Sequence, residues 1–319
     1  MSLLKPIYKF WLTPRDTASI SVCRIMVGFV SILKALHVLR DAPSMYGAVN
    51  PMVAAATARE VWPGAHLCLF NLTNDPSMIE FLATAVPVLH LLAAIFVMVG
   101  FKTNLSLLVL ITTASSLSFR NLMVVTGADC YQITTLSILL FSRCGGRYSI
   151  DYWLAKRRGE FYRTWSLPVF EYLIRVQLFL LYASAAAVKI MRPIWQEGLA
   201  LYYVFRQKNF QLFPLPPFFF EPWMSKVFSY MTLILETAWA LLLWFKPIRY
   251  ALLASAFVFH LGMHFTLNIP LFQPFVISTL VCFIDPKDVR KVERAIVAWI
   301  NRTCRNGTAC GGSKGAVSG

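Results

Sequence analysis

The stretch MIEFLATAVPVLHLLAAIFVMV, residues 78–99, decides the fold class. It runs through 22 residues with one carboxylate near its start, Glu80, one histidine midway, His90, and no Lys or Arg. A helix crosses the hydrocarbon core of a bilayer in about 20 apolar residues. Seven further segments read the same way, at roughly 18–38, 104–119, 128–143, 167–190, 224–245, 249–266 and 270–284. Lipid admits only helices and closed barrels, and apolar runs this long exclude a barrel. The chain therefore reads as an all-α integral membrane protein, a bundle of about eight transmembrane helices with short amphipathic surface helices.

Composition agrees. Of the 319 residues 57% are hydrophobic and 14% charged, where a soluble domain carries about a quarter charged; the mean hydropathy is +0.60. The net charge of +15 would suggest nucleic acid in a soluble protein, but no basic segment is interleaved with aromatics in the spacing of an RNA module. The excess reads instead as cytoplasmic loop cations and attraction to anionic lipid. Seven scattered cysteines without a CxxC indicate neither a zinc site nor a disulfide framework. The start, MSLLKPIYKFWLTPRD, lacks the short apolar run and small-residue cleavage site of a signal peptide and reads as a retained arm.

Counting Lys and Arg by loop sets the orientation. The basic segments are 1–17, 143–166 with Arg143 and Arg147, the turn with Lys246 and Arg249, and the tail from Lys287. With eight spans all fall on one side, which predicts a multi-pass protein of the plasma (inner) membrane with both termini cytoplasmic. The expected division is a cytoplasmic arm (1–17), a membrane domain (18–286), and an amphipathic helix with a disordered Gly/Ser-rich end (287–319). Long outer loops are expected at 39–77 and 191–223. In the second, 195–205 reads as an interfacial helix followed by a Pro-rich stretch. Residues 149–163 and 286–302 read as amphipathic surface helices.

Ionisable residues inside spans are costly and mark functional positions. They are Arg24, Lys34, His37, His90, Lys189, Glu236, His260 and His264, with Arg120 and Asp129 at span ends. In this topology Lys34, His37, Arg120, Asp129, Lys189 and His264 share one depth on the outer side. Each also has an ordinary explanation. Lys189 can snorkel to the head groups. His260 and His264, at i and i+4, suit a metal pair by spacing, but a packed or hydrogen-bonded pair ranks above metal. Arg120 and Asp129 can pair across the loop between them, while Arg24 and Glu236 lie deep enough to need partners.

Several stretches together resemble the horizontally transferred transmembrane (HTTM) domain superfamily: FWLTPRDTASISVCRIMVGF, GFKTNLSLLVLITTASSLSFRNLMVVTGAD, LLFSRCGGRYSIDYWL, YASAAAVKIMRPIWQEGLALYYVF and HLGMHFTLNIPLFQPFVISTLVCFI. The resemblance covers about residues 12–286, and its most specific element is Lys-x5-Trp-x2-Gly, from Lys189. The superfamily includes vitamin K-dependent γ-glutamyl carboxylases and proteins that accompany maturation of a sporulation-delaying peptide toxin. In the carboxylases a lysine before a comparable Trp-x-x-Gly deprotonates vitamin K hydroquinone, and Lys189 matches it. An apolar, partly dehydrated boundary favours a neutral amine there. Two departures stand out. Where the carboxylases carry an Asn-His element this chain reads GADCYQ, and the chain ends soon after its last span, without their large lumenal domain.

The resemblance implies Lys189 as the base; with the polar groups clustered at the outer side, the candidate site is Lys189, Asp129 and His264 as catalytic groups, with Arg120, Asn121, Trp195, Glu197 and His260 holding substrate or cofactor. Three functions follow. The first is an enzyme that modifies or matures a small secreted peptide or protein at an outer-face pocket, with a vitamin K-like quinone as cofactor and Lys189 as base. The second is a non-enzymatic accessory that presents such a peptide to a small membrane or periplasmic partner subunit. The third is a transporter, disfavoured by the lack of an inverted repeat. Lipids are partners in every case, and nucleic acid in none.

Overall fold

The computed structural model describes residues 11–49, 52–61, 67–269 and 271–310. Its helices in chain order are α1 (Ala18–Tyr46), α2 (Ala55–Val61), α3 (Pro76–Val99), α4 (Thr103–Arg120), α5 (Gly127–Phe141), α6 (Ile150–Arg157) and α7 (Val169–Ile190). They continue with α8 (Pro193–Gln196), α9 (Ala200–Arg206), α10 (Pro222–Leu242), α11 (Lys246–Thr266), α12 (Phe272–Leu280) and α13 (Pro286–Cys310). Each of the eight apolar segments contains a helix, α1, α3, α4, α5, α7, α10, α11 and α12, although 270–284 is α-helical only over Phe272–Leu280. Four of them, α1, α3, α7 and α11, are long and apolar enough to cross a membrane by length and composition. The fold is all-α and of membrane type. The described sheet is a two-residue ladder, Arg15–Asp16 (β1) against Trp165–Ser166 (β2).

Local chemistry sets the helix ends. Asp75 accepts the Ser77 and Met78 N–H groups ahead of α3, with Pro76 in the first turn, a preferred cap and a proline whose missing N–H costs nothing there. Gly100 closes α3 in the left-handed region at φ +69°. Thr126 and Asp129 form a reciprocal capping box at α5.

The helix ends sort into two opposite sets. At one end Asp16 takes Arg147 at 2.8 and 2.7 Å and Arg290 at 3.3 Å, and Tyr148 donates to Glu293 at 2.8 Å. At the same end Arg24, fully buried, donates to the carbonyls of Val97, Met98, Cys144 and Tyr148. That is how the structure supplies the partner its depth required. The described parts of the basic segments are thus gathered at this end, Lys246 and Arg249 sharing a cavity wall there with Arg15 and Lys287. At the other end Arg120 donates to Val53 and Gly47 carbonyls, and residues 210–211 meet 267–268.

Four expectations change. Helix α1 runs past residue 38 to Tyr46, breaking at Asp41 (φ −118°) just before Pro43, whose ring disrupts the helical hydrogen bonds. The stretch 195–205 is not one helix, because Gly198 at φ +72° separates α8 from α9. Residues 149–163 are helical only to Arg157. Helix α13 extends beyond 302 to Cys310, while the rest of the Gly/Ser-rich end and residues 1–10 of the arm lie outside the described residues.

Candidate functional site

Helix α7 ends at Ile190, and the lysine one residue earlier turns onto α10. Lys189 Nζ reaches both carboxylate oxygens of Glu236, at 2.6 Å each. The two side chains are 21% and 11% exposed, so each offsets the desolvation of the other. Lys189 therefore has a carboxylate partner, Glu236, which its sequence context does not reveal. Trp195 covers the pair, its ring centroid 5.2 Å from Nζ, close enough for a cation–π contact. Gly198 explains the rest of the Trp-x-x-Gly element. Its carbonyl accepts from Ser225 at 2.9 Å and Ser229 at 3.3 Å on α10. A Cβ there would stand 2.8 Å from Lys226 Cγ, so only glycine lets this loop lie so close to α10 and hold Trp195 over the lysine.

The pair stands on the wall of a cavity of about 520 Å³ between α7, α9, α10 and α11. Among the described lining residues only Lys189 and Glu236 are charged. Phe205, Phe219 and Phe228 form an aromatic wall, with ring centroids 5.2 to 6.1 Å apart. Met231 and Val258 line the cavity yet are exposed on the bundle surface, so it opens sideways between α10 and α11. A largely apolar chamber of this size with one charged contact point has the anatomy of a small-molecule site.

A second ion pair lies elsewhere. Lys34 on α1 meets Asp129 on α5 at 2.5 Å and donates to Gln132 at 2.8 Å. Gln132 in turn donates to Ser31. Asp129 also accepts the Thr126 N–H at 2.6 Å. This overturns the pairing of Arg120 with Asp129. Lys34 reaches Asp129 instead, because Arg120 is turned away to the 47 and 53 carbonyls and lies 5.8 Å from the Phe70 ring centroid. Asn121 is likewise bound, donating to the Met45 carbonyl and accepting from Met123 N–H.

The cavity beside Lys34 and Asp129 shares His37 and Leu271 with a third cavity that holds His264. That third cavity shares Leu267 and Ile269 with the one at Lys189. The structure thus arranges Lys189, His264, His37, Lys34 and Asp129 along one row of neighbouring cavities, with an ion pair at each end. His260 is in none of the three. It is buried, bonded to the Tyr182 hydroxyl at 2.9 Å and to Gln273, and separated in role from His264 although one turn away. Glu197 is exposed and lines none of these cavities.

Sequence reasoning missed Gln132, whose signal was its place three residues after Asp129 on one helix face. It also missed Glu171 and Arg175, an i,i+4 pair 3.7 Å apart and buried in α7, legible as opposite charges one turn apart inside an apolar run.

The family model of the HTTM domain matches residues 12–287. No curated protein and no solved structure matches the chain.

Proposed function

We propose, for a chain that belongs to the HTTM-domain family and is a membrane protein, that the α7–α10–α11 cavity binds a lipid-soluble ligand and that Lys189 with Glu236 exchanges a proton with its polar head. The observation that carries this reading is a single ion pair, roofed by Trp195, at the wall of an apolar chamber that opens sideways. The side opening admits a ligand from lipid, and the aromatic wall suits a flat ring. A vitamin K-like quinone fits these residues, and when bound it would supply redox chemistry that side chains lack. Glu236 gives Lys189 a carboxylate to which its proton can pass, leaving an amine free to take a proton from a ligand hydroxyl. Trp195 and the three phenylalanines keep water from the exchange. In this reading both termini are cytoplasmic, and the product of the chemistry acts on a small secreted peptide held by the outer loops.

The test is binding of a short-chain naphthoquinone to the purified protein, followed by mass spectrometry of peptides secreted by cells that carry it. Wild type should bind the quinone, and Lys189→Met and Glu236→Gln should each weaken binding severalfold. Lack of binding by folded wild type sinks the ligand assignment. If quinone binds but peptide masses do not change between wild type and Lys189→Met, the protein presents peptides rather than modifying them.

A further inference from the structure

We infer that the opposite end of α7 carries a site for the phosphate headgroup of an anionic phospholipid. A cavity of about 540 Å³ lies there, walled by the arm before α1, the first turns of α7, the α10–α11 turn and the start of α13. Five cations line it, Arg15, Arg175, Lys246, Arg249 and Lys287, against two carboxylates, Asp16 and Asp285. The carboxylates are already engaged. Asp16 is gripped by Arg147 and touched by Arg290, and Asp285 accepts the Lys287 backbone N–H at 3.0 Å. Among the described residues Arg15, Lys246, Arg249 and Lys287 take part in no salt bridge. Among the described residues the cavity wall therefore carries more positive than negative charge, five cations against two carboxylates.

Backbone geometry adds to the charge. Helix α11 starts at Lys246 and α13 at Pro286, so two helix N-termini border the cavity. Phe245 ahead of α11 gives no side-chain cap and Pro247 has no N–H, which leaves the N–H groups of Lys246 and Ile248 for an outside acceptor. At the inner wall Arg175, with its side chain 6% exposed, fixes its Nε on the Cys282 carbonyl at 2.8 Å.

The surroundings favour a lipid over a free anion. Trp244 lines the cavity, and Phe245 and Ile248 beside it are exposed, offering an apolar track for acyl chains. Helix α13 continues the same surface. Val292, Ile296 and Trp299 are exposed along one of its faces, with Arg294 between them and Lys291 just before, the pattern of a helix lying at the head-group level. A basic pocket between helix ends at that depth matches phospholipid phosphate, with each nearby cation contributing to attraction.

The test is native mass spectrometry of the full chain in detergent, titrated with phosphatidylglycerol, with phosphatidylcholine of the same acyl chains, and with inorganic phosphate. Wild type should prefer phosphatidylglycerol. The double variant K246Q/K287Q should lose that preference by roughly thirtyfold, whereas K246R/K287R should keep it and thereby show that the fold is not at fault. Lys208→Gln, exposed at the other end of the bundle and off the cavity wall, should leave it unchanged. Equal binding of the two lipids, or an undiminished preference in K246Q/K287Q, overturns the site. Displacement of phosphatidylglycerol by inorganic phosphate at equal concentration overturns the lipid assignment in favour of a free anion.

Discussion

Removing one or both members of the Lys189–Glu236 pair separates an ion pair that holds the bundle together from two side chains that merely sit side by side. At 2.6 Å and an effective dielectric of about 20, the attraction is on the order of 6 kcal/mol, and desolvation of the two groups takes back most of it. Loss of one partner from a fully buried pair costs about 3–5 kcal/mol. Here the side chains keep 21% and 11% exposure, so a stranded charge can reach some water, and about 2 kcal/mol per single variant is expected. Lys189→Met strands Glu236, and Glu236→Gln strands Lys189. The double variant strands neither and should cost about 1.5 kcal/mol, short of additivity by about 2.5 kcal/mol. The assay is unfolding by SDS titration in mixed micelles, read by intrinsic fluorescence for wild type, both singles and the double. Additive losses within about 0.5 kcal/mol would refute the reasoning, because they would mean that neither charge depends on the other.

Three further outcomes follow from the geometry. Arg24→Met removes a buried guanidinium from four carbonyls and should cost about 3–4 kcal/mol in the same titration, with Arg24→Lys recovering little because an ammonium lacks the planar fork. Gly198→Ala meets both the positive φ of +72° and the 2.8 Å approach to Lys226; a loss of about 1–2 kcal/mol and weaker naphthoquinone binding are expected. Burial, and then the hydrogen bond to Glu293, raises the Tyr148 phenol above its ordinary value. A raised folded-state value means that its contribution is complete below the unfolded value of about 10 and fades as pH rises above it. Alkaline titration should therefore loosen α13 in wild type, and Tyr148→Phe should reduce that dependence in hydrogen exchange of α13, the remainder belonging to Tyr250, whose phenol donates to Asp288.

The helices were legible from the length of their apolar runs, and a few ends are marked by their own chemistry: Asp75-Pro76 before α3, Gly100 after it, Thr126 with Asp129 at α5. The site was legible only in part. Lys189 announced itself as a cation at the end of an apolar run, and Glu236 as a carboxylate needing a partner. Nothing in the spacing shows that they meet, because helix–helix register across 47 residues depends on which faces pack, and apolar runs this uniform carry little facial information. Sequence nearness misled in the case of Arg120 and Asp129, where a lysine from α1 won the carboxylate. Gly198 was visible as part of a motif, but its reason, a backbone pressed onto α10, exists only in three dimensions.

The pairing also changes what the resemblance to the carboxylases can imply. There an Asn-His element is present, and at the corresponding stretch this chain offers Asp129, already held by Lys34 and Thr126. On our reading the assisting group is Glu236, in contact with Lys189 itself, so the missing histidine does not by itself remove the means of proton transfer. Lys189→Arg decides between the two functional readings. Arginine preserves a cation opposite Glu236 and beneath Trp195, but its guanidinium does not give up its proton in a protein. If the lysine is a base, Lys189→Arg should fold, stay in the membrane and bind the quinone while yielding no modified peptide. If the pair only braces a surface that presents peptides, Lys189→Arg should mature the peptide as wild type does, and the enzymatic reading falls.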